Sequence, residues 1–117
     1  MNNNNLFMVR GDTFRFSIEI EGLTVNLTNA YFSCKKNKDD TEYIFQKSLE
    51  NGIAKTEETD TSKTYEVVVA PEDTEEVEDG KYFYDLQIEV DGEIYTPLLA
   101  ILTIEKDVTH NTVTPSA

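Results

Sequence analysis

The chain has 117 residues and carries 23 Asp and Glu against 10 Lys and Arg, a net charge of −13. That length suits one domain, and the charge, with no basic stripe to offset it, argues against a nucleic-acid partner. The single cysteine, Cys34, excludes an internal disulfide framework and a thiolate zinc site and fits synthesis in a reducing cytoplasm.

Met1-Asn2-Asn3-Asn4-Asn5 has neither the positive charge nor the apolar run of a signal peptide, and reads as a flexible arm over 1–5. Leu6-Phe7-Met8-Val9 is a short strand and Arg10-Gly11-Asp12 a turn. From Thr13 to Glu21 the chain alternates, with Phe14, Phe16, Ile18 and Ile20 inward and Arg15, Ser17, Glu19 and Glu21 outward. A connector follows with an apolar beat at Leu23, Val25 and Leu27. Ala30 to Lys36 is a strand with Ala30, Phe32 and Cys34 on one face and Tyr31, Ser33 and Lys35 on the other.

Lys36 to Asp40 is a polar turn, Tyr43 to Lys47 a short strand, and Asn51-Gly52 a turn before Ile53-Ala54-Lys55. Glu57 to Ser62 has no periodicity and reads as loop. Lys63 to Ala70 alternates again, with Tyr65, Val67 and Val69 inward, and Pro71 to Val77 suits one helical turn, with proline first and acids near the start.

The cleanest period of two lies between the turn dipeptides Asp79-Gly80 and Asp91-Gly92. Tyr82, Tyr84, Leu86, Ile88 and Val90 share one face; Lys81, Asp85, Gln87 and Glu89 share the other with Phe83 as the large apolar exception. This is a central strand. Asp91-Gly92 predicts a tight hairpin, because a type I′ turn needs positive φ at both central residues.

The last strand, Tyr95 through Ile104, carries Leu98, Ala100, Leu102 and Ile104 on one face and Leu99 and Ile101 on the other, so part of it is expected to be covered on both sides. Its longest apolar run, Leu98 to Leu102, falls far short of the ~20 residues of a membrane span, and no membrane partner is expected. Seven to eight short strands with regular turn signals and no long helical pattern predict an all-β fold, a single antiparallel β-sandwich over 6–109 with a flexible Thr/Ser/Pro tail over 110–117.

Three stretches carry a family resemblance: Arg10-Gly11-Asp12-Thr13-Phe14-Arg15-Phe16, Asp79-Gly80-Lys81-Tyr82-Phe83-Tyr84-Asp85, and Tyr95-Thr96 followed by Ile104-Glu105-Lys106-Asp107-Val108-Thr109. Together with Leu27-Thr28-Asn29-Ala30, the chain resembles small bacteriophage virion proteins with an immunoglobulin-like sandwich, related to the N-terminal domain of upper-baseplate proteins. Asn29 stands where that family often has glycine, and Ala100 lies in a final strand that often carries one. The resemblance implies a structural part of a capsid, neck, tail or baseplate. Such a part, made in the host cytoplasm and residing in the virion, acts by assembling with other virion proteins and as a homo-oligomer, without catalytic residues or cofactors. The spacing from Ala70-Pro71 to Tyr82 also resembles the tyrosine corner of immunoglobulin-like domains, with Tyr82 the candidate and Tyr84 second.

Other motifs have bland readings beside their sharp ones. Arg10-Gly11-Asp12 spells an integrin-binding tripeptide but suits a turn between strands. Asn26-Leu27-Thr28 matches a glycosylation acceptor, which a chain without a signal peptide would not present to the enzyme. The run Glu72, Asp73, Glu75, Glu76, Glu78, Asp79 lacks the ligand spacing of a calcium loop and reads as a solvated acidic face, as does Asp39-Asp40. His110, the single histidine, sits in the tail, so no Ser-His-Asp or Cys-His pair is expected on the core. No catalytic, cofactor or metal residue is assigned, and Cys34 reads as a small buried hydrophobe. Tyr31 and Phe83, aromatics on otherwise polar faces, are the candidate interface residues. The alternative to a virion part is a host-surface module that binds a glycan or a protein.

Overall fold

The computed structural model describes residues 4–108. Eight strands and one helical turn follow in order: β1 (Leu6–Val9), β2 (Phe14–Glu21), β3 (Asn29–Lys35), β4 (Phe45–Leu49), β5 (Gly52–Glu58), β6 (Ser62–Val69), α1 (Pro71–Thr74), β7 (Gly80–Val90) and β8 (Glu93–Glu105). Hydrogen bonding runs β1-β8-β7-β3-β4-β5-β6-β2. The link between β4 and β5 is slight, two parallel pairs at Ser48–Gly52 and Leu49–Ile53. There the sheet folds over into two layers, β1-β8-β7-β3-β4 and β5-β6-β2. The layers face each other: Phe16 of β2 and Phe32 of β3, far apart in strand order, have ring centroids 5.2 Å apart in an edge-on contact. The fold is an immunoglobulin-like β-sandwich.

The core follows from the alternation. Phe32, Cys34, Tyr65, Val67, Val69, Tyr82, Tyr84, Leu86, Leu102 and Ile104 are all buried, each on the inward phase of its strand. Phe32 is the hub, in ring contact with Phe16, Phe45 and Tyr84. Asp91 and Gly92 adopt φ of 53° and 80°, the pair of left-handed residues that the β7–β8 hairpin requires. Opposite Gln87 the register of β8 shifts between Tyr95 and Leu98. Pro97 sits in that bulge, where its missing N–H breaks no regular ladder.

Two local expectations are corrected, the loop at 57–62 and the strand start at Tyr43. Glu57 to Ser62 is not a free loop: β5 extends through Glu58 and β6 starts at Ser62, with Glu57 opposite Thr64 and Glu58 opposite Lys63. Pairing supplies there the order that a polar run does not advertise. Tyr43 precedes β4 and is exposed, because strand pairing with β3 begins only at Phe45 opposite Cys34. Val25 is exposed while Leu23 and Leu27 on either side are buried. Leu99 is 57% exposed, since nothing among the described residues covers the outer face of β8 at that point.

Residues 1–3 of the expected arm, the last residue of the expected sandwich, 109, and the whole expected tail, 110–117 with His110, lie outside the described residues. Asn4 and Asn5 are tied to the layer: the Tyr84 hydroxyl donates to the Asn4 carbonyl at 2.5 Å and the Ile101 N–H to Asn5 Oδ1 at 3.1 Å.

Candidate functional site

The alternation that buries Phe32, Tyr84 and Leu86 turns their neighbours outward. Strand register then sets those neighbours in rows across the outer face of the larger layer. One row reads Gln46, Ser33, Asp85, Leu99; the next reads Lys35, Phe83, Ile101; a third reads Ser48, Tyr31, Gln87. The two candidate interface residues therefore stand on adjacent strands on either side of the Ser33–Asp85 pair. Both are half-buried, and they line one open concavity of about 470 Å³ with Ser33, Gln46, Asp85 and Leu99.

Lys35 and Lys38 line it. Lys38 Nζ lies 5.2 Å from the Phe83 ring centroid and Lys35 Nζ 5.2 Å from that of Tyr43; outside the concavity, Lys36 Nζ lies 4.7 Å from the ring of the buried Tyr82. The Lys38 and Lys36 contacts tie the β3–β4 connection to aromatics of β7. Elsewhere Arg10, Arg15, Lys47, Lys55 and Lys63 pair with carboxylates. Within the concavity Asp85 is pushed above the ordinary Asp range by burial, with the Lys35 charge pulling the other way. The floor thus combines an aromatic ring, an exposed leucine, a carboxylate and the amide of Gln46, which donates to Ser33 Oγ at 3.0 Å. It suits contact and hydrogen bonding.

The second candidate group does structural work. The Tyr82 ring is buried and its hydroxyl donates to the Glu78 carbonyl; burial first, then nearby negative charge, raises its pKa. Tyr84 reaches instead to Asn4. Both anchor strand β7, one to the corner after α1 and the other to the N-terminal segment.

Arg10-Gly11-Asp12 is a turn whose arginine is occupied. Arg10 Nε and Nη2 each lie 3.0 Å from Asp107 Oδ1, its Nη1 donates to the Val77 carbonyl at 3.1 Å, and the Gly11 N–H donates to Thr74 Oγ1 at 2.8 Å. The guanidinium clamps the segment after β8 to the corner and does not project. In the acidic run, Asp73 accepts from the Ala70 N–H at 2.8 Å and from Lys47 Nζ at 2.7 Å. No group of three His, Cys, Asp or Glu among the described residues is arranged to hold a metal ion.

Leu99, Tyr43 and the Lys35–Lys38 turn escaped the sequence reading. The signal for Leu99 was present in the doubly apolar run Leu98 to Ile101, which admits a contact surface as readily as an internal cover.

No family model matches the chain, and no curated protein does. Among solved structures, the extracellular domain of the voltage-gated sodium channel beta4 subunit is similar at 11% identity, over 89% of this chain and 92% of that one, with a TM-score of 0.41. That protein forms parallel homodimers that explain its role in cell–cell adhesion. An extracellular fragment of novel immune-type receptor 11 from Ictalurus punctatus is similar at 16% identity, over 97% and 91%, with a TM-score of 0.36. At this distance neither likeness carries partners or activity to this chain.

Proposed function

We propose that this chain is a structural component of a bacteriophage virion, made in the host cytoplasm and acting by protein–protein assembly without chemistry of its own. The supporting observation is the outer face of the larger layer, where Tyr31, Phe83 and Leu99 line one open concavity and Ile101 lies opposite Phe83 beside it. With Phe7 exposed on β1 next to β8, this makes an aromatic and aliphatic surface on a domain otherwise covered in charge. Burying it against a neighbour is the natural source of binding energy, with the strong net charge of each copy favouring partners that present basic surface. The family resemblance of the turn and strand-start motifs supports a virion as the setting. Density-gradient fractionation of a phage-producing lysate tests this with an antibody to the chain. Co-sedimentation with intact particles at a fixed ratio is expected, and recovery only in the unassembled fraction would refute it.

One observation favours a second reading, a host-surface module. Phe83 and Tyr31 flank Asp85, Gln46 and Gln87, a mixture of ring faces and hydrogen-bonding groups that suits a sugar. Saturable binding on a glycan array, abolished by Phe83→Ala, would favour it over assembly.

A further inference from the structure

The smaller layer ends in β2, which pairs with β6 on one side only. Among the described residues no other backbone group bonds to Phe14–Glu21. An open edge of this length is usually blunted by proline, a bulge, an inward charge or charged side chains along it. This strand has no proline, bulge or inward charge, and its register with β6 is unbroken from Phe14–Val69 to Glu21–Ser62. Its charges, Arg15, Glu19 and Glu21, all lie on the outward phase and are of both signs. Its inward side chains are also incompletely covered. Phe14, Phe16, Ile18 and Ile20 pack against the core but are only partly buried, whereas Tyr65, Val67 and Val69 beside them on β6 are buried.

Pairing with β6 fixes the phase of the edge. The Gly22 N–H donates to the Thr61 carbonyl, so along the unbroken register the even-numbered residues direct their N–H and C=O toward β6. The odd-numbered ones, Arg15, Ser17, Glu19 and Glu21, direct theirs to the open side. An antiparallel copy of the same strand must then pair odd with odd. Two registers overlap the strands over the same length, one centred on Ser17 and one on Ile18. The first sets Ser17 opposite Ser17 and Arg15 opposite Glu19 of the second copy, which keeps both charge pairs off Glu21, the last residue of the strand. It places both charge pairs in attraction, no like charges face each other, and Phe16 lies beside Ile18.

We propose that two copies of this chain join through β2 in that register, making a continuous six-stranded layer β5-β6-β2 with β2-β6-β5 of the second copy. The two-fold axis passes beside Ser17, the interface is isologous, and the outer face with Phe83 and Leu99 stays open for other contacts. The inference goes beyond the virion reading and does not rest on it.

Sedimentation of the full chain over a concentration series tests it, at about 150 mM salt, where distant repulsion is screened to within ~8 Å. A reversible dimer is expected, weakened about tenfold or more by Arg15→Glu or by Glu19→Arg, since each converts two attractive pairs into two repulsive ones. Mixing the two variants one to one restores attraction at both pairs and should restore the dimer, as a heterodimer. Thermal melts check that each variant is folded. A monomer at every concentration overturns the proposal. So does a dimer indifferent to both charge reversals, or one that the mixture fails to recover. A chain ending at Val108 that dimerises when the full chain does not would show residues 109–117 on the edge, and would equally overturn it.

Discussion

The hydroxyl of Tyr82 donates to the carbonyl oxygen of Glu78, four residues upstream. The bond is local in sequence and ties the start of β7 to the corner that follows α1. Tyr82→Phe removes the donor and leaves that carbonyl short of a partner. A loss of about 1–2 kcal/mol is expected, read by urea denaturation as a lower midpoint with an unchanged slope.

Arg10 and Asp107 join the first turn to the end of β8 across 97 residues of chain. Both are largely shielded from water, so the pair is worth more than an exposed one. Arg10→Ala should cost about 2 kcal/mol, while Asp12→Ala in the same turn should stay within about 0.5 kcal/mol. Equal effects of the two would remove the clamp assigned to Arg10.

Asp85 provides a pH signature. Burial raises its folded-state pKa above the ordinary value of 3.8, so the folded chain holds this proton more tightly than the unfolded chain does. Its contribution therefore favours folding at low pH and is lost as pH rises from 3.8 through the raised folded value. Asp85→Asn cannot lose a proton. The variant should match wild type below that window and be the more stable of the two at pH 7, as measured by thermal melts at both pH values.

Cys34 is buried and its thiol is pushed up to about 12. At pH 8 it is almost wholly protonated and inaccessible, so a thiol reagent should label it only as fast as the chain unfolds. Rapid labelling of the native protein would contradict its place in the core.

Leu99 lies opposite Asp85 and is more than half exposed. Leu99→Ser should change stability by no more than about 0.5 kcal/mol. On the assembly reading the same variant is depleted from particles. A folded Leu99→Ser chain incorporated as well as wild type would remove this face from the contact.

Much of the fold was legible before any coordinates. The periods of two at Phe14–Glu21, Tyr65–Val69 and Tyr82–Val90 found the strands and named their inward faces, and Asp91-Gly92 marked the hairpin. The interface candidates Tyr31 and Phe83 were visible as aromatics out of phase with polar neighbours. Their sharing of one concavity was not, since it depends on Ser33 lying opposite Asp85. Glu57 and Glu58 were missed as strand because polar residues on a solvent-facing ribbon leave no alternation to read.

What this sequence determines alone is local: which residues are extended, which side of each strand is apolar, and where the chain must reverse. Those properties come from side-chain alternation and from backbone sterics, and neither needs a distant partner. Tertiary structure decided which strands are neighbours, in what register, and which strand is left at an edge. It alone placed Arg10 against Asp107 and left Leu99 bare, because pairing joins residues far apart in sequence and the choice among pairings is made by the whole core at once.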